Sequence, residues 1–186
     1  MSTLPDERGQ YWQALKSEEH LAVEIMVDKY YPALLNFLLR LGCSRSDAED
    51  IIQETFIKAI QNINHYRHQE RFPAWLFKIC HNNFKDFNKK ASRRREIPHA
   101  PRDLPGSDGP SPESQAIMMD EALRVQAALN LLPPKQHLAV VLRFYHGFTF
   151  KEIAYLMSCP TGTVKSRLNH ALTTLNQHLQ EVDCNE

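Results

Sequence analysis

Between Lys85 and Arg95 the sequence carries six basic residues, Lys85, Lys89, Lys90, Arg93, Arg94 and Arg95, against one acid, Asp86. Such a stripe suits phosphates, because each Lys or Arg that meets one releases condensed counterions. Just upstream lie Tyr66, Phe72, Trp75, Asn82 and Asn83. Aromatic faces stack on unpaired bases and amides bond to base edges, so the combination could hold a single nucleic-acid strand. Trp75, between Phe72 and Ile79, reads first as a core residue. Asn82 and Asn83 are poor helix formers inside a helical pattern, each costing roughly 0.5 kcal/mol relative to Ala. That mismatch makes both functional candidates.

A second constellation is "FTFKEIAYLMSCPTGTVKSRLNHAL", Phe148 to Leu172. Thr149 followed by Glu152 forms a capping-box pattern that starts a helix carrying Phe150, Ile153, Ala154, Leu156 and Met157. The turn "SCPTG" follows, with Pro160 and Gly162 breaking the first helix and seeding the next. In that next helix Val164, Leu168, Ala171, Leu172, Leu175 and Leu179 fall on one face. Ser166, Asn169, His170 and Thr173 project from the other, with Lys165 and Arg167 on the flanks. A helix-turn-helix presents the N-terminal half of such a helix to the major groove. Asn169 could pair with adenine, and Lys165 or Arg167 could reach guanine or phosphate. A helical hairpin whose polar face meets only water has the same spacing.

These residues need helices to position them. In the N-terminal half, Ser46 and Glu49 form another capping-box pattern, and Ile51, Ile52, Phe56, Ala59, Ile60 and Ile63 follow at helical spacing. "VEIMVDKYYPALLNFLLRLG" precedes it as an apolar helix closing near Gly42. "RFPAWLFKICHNNFKDFNKKASRRR" follows, with Pro73 tolerable in a first turn. Between the halves, Pro98, Pro101, Pro105, Pro110 and Pro112 predict an extended, flexible connector. Further helices are expected near Pro112–Leu132 and Pro134–His146. No strand alternation stands out. The expected fold is all-α: a tail (1–17), a helical domain (18–95), a Pro-rich flexible linker (96–112) and a helix-turn-helix domain (113–180).

The bulk properties narrow the classes. The 186 residues hold 22 basic and 22 acidic side chains, so no net charge draws the chain to a polyanion. No apolar run approaches the length of a membrane span and no signal peptide is evident. Cys43, Cys80, Cys159 and Cys184 are scattered, as suits a reducing cytoplasm, and the nine His show no zinc-ligand spacing. No paired catalytic carboxylates, nucleophile motif or glycine-rich phosphate loop is found, so no enzymatic activity, metal, cofactor or small-molecule substrate is expected. The acids Asp47, Glu49, Asp50 and Glu54 suit a helix N-terminus in part. Gln53 and Glu54 lie past the first turn, however, and suggest a protein partner beside the nucleic acid.

In their order along the chain, "SDAEDIIQETFIKAIQNI", "FPAWLFKICHNNFKDFNKKASRRR" and "FTFKEIAYLMSCPTGTVKSRLNHALTTL" resemble extracytoplasmic-function sigma factors of the sigma-70 family. The resemblance implies a sigma-2 domain, a linker and a sigma-4 domain that direct transcription initiation with bacterial core RNA polymerase in the cytoplasm. It implies docking on the β′ clamp helices through Asp50, Gln53, Glu54 and Phe56, and a further contact with the β flap. It implies −10 recognition through the loop Asn64–Phe72 and residues Tyr66, Arg67, Asn82, Lys85, Lys89 and Arg93. Lys165, Ser166, Arg167, Asn169 and His170 would read the −35 element of promoter DNA. An anti-sigma factor is an implied partner. Zero net charge fits this role, since the polymerase would supply most of the nonspecific attraction. Asn169 and His170 stand where relatives often carry an aromatic or Arg. A freestanding helix-turn-helix regulator is the alternative, and it would bind duplex DNA without polymerase.

Overall fold

The computed structural model describes residues 20–66, 72–94 and 125–183. All of its regular elements are helical: α1 (His20–Arg40), α2 (Arg45–Asn62), a 3-10 turn (Ile63–His65), α3 (Phe72–Arg94), a helical stretch at 125–130, α4 (Pro134–Val140), α5 (Phe150–Met157) and α6 (Thr161–Asp183). The tail at 1–17, the linker at 96–112 and the start of the expected Pro112–Leu132 helix lie outside the described residues, as does Arg67. The chain divides into two compact units, Met1–Asn36 with Arg45–Pro98 and Phe37–Ser44 with His99–Glu186.

In the first unit, α1 contributes Ala22, Met26, Tyr30 and Leu34 to the core at helical spacing. It continues through Pro32, whose missing N–H costs one backbone bond but does not end it. Its end is closed at Gly42, where φ is 80°. There Cys43 N bonds Leu38 O at 3.0 Å and Gly42 N bonds Leu39 O at 2.9 Å, the paired closure that needs a left-handed residue. Helix α2 buries Ala48, Ile51, Ile52, Thr55, Phe56 and Ala59. It begins at Arg45, one residue before the expected cap. Ser46 therefore lies inside the first turn, and Glu49 accepts from Arg45 Nε at 3.1 Å. Helix α3 adds Phe72, Ala74, Leu76, Phe77 and Cys80.

The second unit packs Leu129, Leu132, Leu138, Val140, Val141 and Leu142 with Ile153, Leu156, Val164, Leu168 and Ala171. After α4 the chain widens into a single π-helical turn, Val141–Tyr145. Helix α5 starts in the expected capping box: Thr149 N donates to Glu152 Oε2 at 2.8 Å, and Glu152 N donates to Thr149 Oγ1 at 3.3 Å. Its end departs from expectation. The residue that turns the chain is Ser158, left-handed at φ 51°, with Cys159 N bonded to Ala154 O at 3.0 Å and Ser158 N to Tyr155 O at 3.2 Å. Gly162 sits in the first turn of α6 with open space where a Cβ would go. Leu172, expected on the buried face, is 44% exposed, because it falls at the edge of the stripe set by Val164, Leu168 and Ala171.

Candidate functional site

Three surfaces gather the side chains singled out by sequence. The first is the outer face of α2. Asp50, Gln53 and Glu54 are exposed, and by helical register Ile57 joins them one turn on. Ile57 is 55% exposed, an apolar side chain amid polar ones. Sequence reasoning missed it, although the spacing 50, 53, 54, 57 was there to be read. Phe56, grouped with this face in the sequence, is buried. It continues the core stripe of Ile52 and Ala59 and has no surface to offer a partner. Glu54 is held by Lys58, whose Nζ lies 2.7 Å from Glu54 Oε1.

The second surface is the polar face of α3. Asn82, Lys85 and Lys89 are exposed and three or four residues apart, so they form one row, and Arg93 continues that register. Asp86 lies in the same row, with Lys89 Nζ 4.0 Å from its Oδ1. Asn82 and Asn83 separate cleanly. Asn82 faces solvent, whereas Asn83 is 4% exposed and points into the α2–α3 contact. Its Nδ2 donates to Thr55 Oγ1 at 3.1 Å, and its Oδ1 accepts from Lys58 Nζ at 2.7 Å. The Thr55 hydroxyl, also buried, donates to Ile51 O at 2.7 Å. Asn83 is thus a core residue that joins two helices. Its weak helix propensity is offset by hydrogen bonds inside the core.

Aromatic residues before α3 behave differently from the sequence expectation. Tyr66 is buried, with ring centroids 5.4 Å from Phe72 and 5.2 Å from Trp75, and Phe72 lies 5.4 Å from Tyr30. The Tyr66 ring therefore presents no face to a base. The cause is the 3-10 turn Ile63–His65, closed by Tyr66 N on Ile63 O at 3.1 Å, and the ring caps the hydrophobic core there. Trp75 is half-buried against the same rings. His81 is half-buried on α3, and burial, with Lys85 nearby, lowers its pKa to about 4, so it is neutral at physiological pH.

The third surface is the N-terminal half of α6. Lys165, Ser166, Asn169 and His170 are all exposed on it. Lys165 Nζ stands 5.6 Å over the Phe150 ring. Arg167 is half-buried, and its Nη1 donates to Cys159 Sγ at 3.4 Å in the turn before the helix. Its guanidinium is thus turned toward the helix-turn-helix bend, apart from the four exposed side chains. Arg143 braces the preceding turn, which leads into α5, with Nη1 on Phe148 O at 3.0 Å. Among the described residues, no group of His, Cys, Asp and Glu could hold a metal ion, and no helix is long and apolar enough to cross a membrane.

Comparison with known proteins finds two family regions along the chain. The family description Sigma-70 region 2 matches residues 26–94, and Sigma-70, region 4 matches residues 122–175. The ECF RNA polymerase sigma factor EcfG of Rhodopseudomonas palustris is 34% identical over 145 residues, covering 78% of this chain and 78% of that protein. The RNA polymerase sigma-H factor of Pseudomonas aeruginosa is 31% identical over 175 residues, covering 86% of each chain. The solved sigma factor RpoE of Bartonella quintana, in complex with the anti-sigma factor NepR, is 26% identical with a TM-score of 0.70. The match covers 84% of this chain and 96% of that one.

Proposed function

The chain belongs to the extracytoplasmic-function RNA polymerase sigma factors of the sigma-70 family, and from that premise we propose how its surfaces divide the work of transcription initiation. The outer face of α2, with Asp50, Gln53, Glu54 and the apolar Ile57, docks on core polymerase at the β′ clamp helices. The row Asn82, Lys85, Lys89 and Arg93 on α3 follows the unpaired −10 strand. Lys165, Ser166, Asn169 and His170 on α6 enter the major groove at the −35 element, and the β flap supports the unit that carries them. Arg167 stays with this surface as a phosphate or base contact once it leaves Cys159. Tyr66 and Phe56 shape the core behind these surfaces.

The observation that carries this reading is the exposed stripe on α2. Asp50, Gln53, Glu54 and Ile57 have no part in the core, and an exposed Ile amid acids and amides suits a protein partner better than DNA. Division of labour also explains the balanced charge. Good base contacts contribute about 1–3 kcal/mol of discrimination each, so selectivity needs few residues once the polymerase supplies the general attraction. The chain acts by binding, and we assign it no chemical step of its own. It works in the cytoplasm, where polymerase and promoters are. Because the similar RpoE is held by NepR, we extend an anti-sigma partner to this chain, covering the α2 stripe or the α6 face.

Gel filtration with bacterial core polymerase tests the division. Wild type is expected to co-elute with core, the pair Gln53→Ala/Glu54→Ala and the single change Ile57→Ala to weaken co-elution, and Asn169→Ala to leave it intact. A wild-type chain that ignores core polymerase yet binds duplex promoter DNA alone would overturn the assignment in favour of a freestanding regulator.

A further inference from the structure

Helices α2 and α3 of the first unit enclose a groove of about 240 Å³, lined by Glu54 and Lys58 on one side and Asn83, Phe87, Lys89 and Lys90 on the other. Asp86 stands at its edge beside Lys89. One side chain spans both helices. Lys58 Nζ lies 2.7 Å from Glu54 Oε1 and 2.7 Å from Asn83 Oδ1. The groove therefore holds three cations: Lys89 has Asp86 beside it, and Lys58 is neutralised by the carboxylate that the proposed polymerase contact would claim.

We propose that Lys58 is a relay between polymerase docking and strand binding. In the free chain Glu54 keeps the Lys58 charge occupied. When a cationic group of core polymerase takes the Glu54 carboxylate, Lys58 is released while Asn83 still holds it at the groove. It then joins Lys89 and Lys90 as a third cation for a phosphodiester of the unpaired promoter strand. Formally the groove carries Lys58, Lys89 and Lys90 against Glu54 and Asp86, one positive charge in excess; with Glu54 withdrawn the excess becomes two. The coupling is reciprocal, so a phosphate that captures Lys58 also frees Glu54 for polymerase. The inference rests on the assignment of α2 to polymerase and α3 to the −10 strand.

The test uses the full chain and a fluorescein-labelled single-stranded DNA of mixed sequence, with binding followed by anisotropy across a salt series. Glu54→Gln is compared with Glu49→Gln, which removes the same charge from α2 and frees Arg45, a cation outside the groove. Each phosphate contact on a single strand adds about 0.7 to the slope of log K against log salt. Glu54→Gln is expected to steepen the slope by about that amount and to tighten binding several-fold at low salt, with Glu49→Gln gaining less. Lys58→Gln, which keeps an amide donor for Asn83, is expected to cancel the Glu54→Gln gain. In the wild-type background Lys58→Gln lowers the slope by about 0.7 in the holoenzyme and by less in the free chain, where Glu54 already holds the Lys58 charge. Equal gains from Glu49→Gln and Glu54→Gln, or a gain that survives Lys58→Gln, would overturn the relay. A holoenzyme that binds the strand with the same slope with or without Lys58 removes the relay and leaves the −10 assignment standing. A wild-type holoenzyme with no affinity for the strand removes both.

Discussion

Replacing Asn83 separates a residue that touches nucleic acid from one that joins two helices. Its side chain accepts one charged hydrogen bond from Lys58 at 2.7 Å and donates one neutral bond to Thr55 at 3.1 Å. A bond with a charged partner contributes about 1.5–3 kcal/mol and a neutral one about 0.5–1.5, so Asn83→Ala should cost about 2–4 kcal/mol. Asn83→Leu should cost at least about 1 kcal/mol less than the Ala change. It leaves no partner stranded, because Lys58 retains Glu54 and the Thr55 hydroxyl retains Ile51 O. It also refills the space that Ala would leave empty. The chain has two tryptophans, Trp12 and Trp75. Trp75 fluorescence in a Trp12→Phe background therefore reports urea unfolding of the unit that contains Asn83. A Leu variant no more stable than the Ala variant would refute the reasoning, since an apolar side chain filling the space would then recover nothing. Retained stability with lost strand binding would return Asn83 to the surface role that its sequence position suggests.

Ser158 holds a left-handed conformation that costs a residue with a Cβ about 1 kcal/mol, so Ser158→Gly should raise the thermal midpoint of the second unit. Gly162→Ala meets nothing within 4 Å and lies in a helix, so calorimetry should show a gain of about 0.5–1 kcal/mol. His81 has a folded pKa of about 4 against an ordinary 6.5, so the unfolded chain takes up a proton first as pH falls. Its contribution is complete above about pH 6.5 and is lost toward pH 4, and His81→Gln should flatten urea stability over that window by about 1–2 kcal/mol after solvent screening. Cys159→Ala removes the sulfur that Arg167 meets, and duplex binding by the holoenzyme at a −35 site should then change less than with Arg167→Ala.

Local signals were legible where the physics is local. The Thr149–Glu152 box and the Gly42 closure depend on residues three to five apart, and both formed as their types require. The apolar spacing of α2 and α6 likewise located two buried faces. Errors arose in choosing between adjacent positions. Ser46 and Glu49 satisfy the capping pattern, yet the helix starts at Arg45, since several polar residues there could begin it. Phe56 and Ile57 are neighbours with opposite fates, and only the stripe that includes Ile52 and Ala59 decides which turns inward. Asn83 and Tyr66 suggest base contacts in the sequence because their packing partners are distant in it: Thr55 lies 28 residues from Asn83, and Tyr30 enters the same aromatic cluster from α1. Propensity showed that Asn83 is unusual. Only packing shows why.

The π-helical turn at Val141–Tyr145 has a bearing on the lineage of the chain. A π turn accommodates one residue more than an α turn, so a single insertion can be absorbed there without shifting the helices on either side. Val141 and Leu142 remain buried while Phe144, the fourth residue of the widened turn, is 59% exposed. The excess residue is thus displaced outward, and the core keeps its register. Relatives that lack it would align with a one-residue gap in this turn and carry an unbroken α-helix, with the helix-turn-helix beyond it unchanged. A residue gained or lost at this point would change the chain length by one and leave the helix-turn-helix geometry as it is.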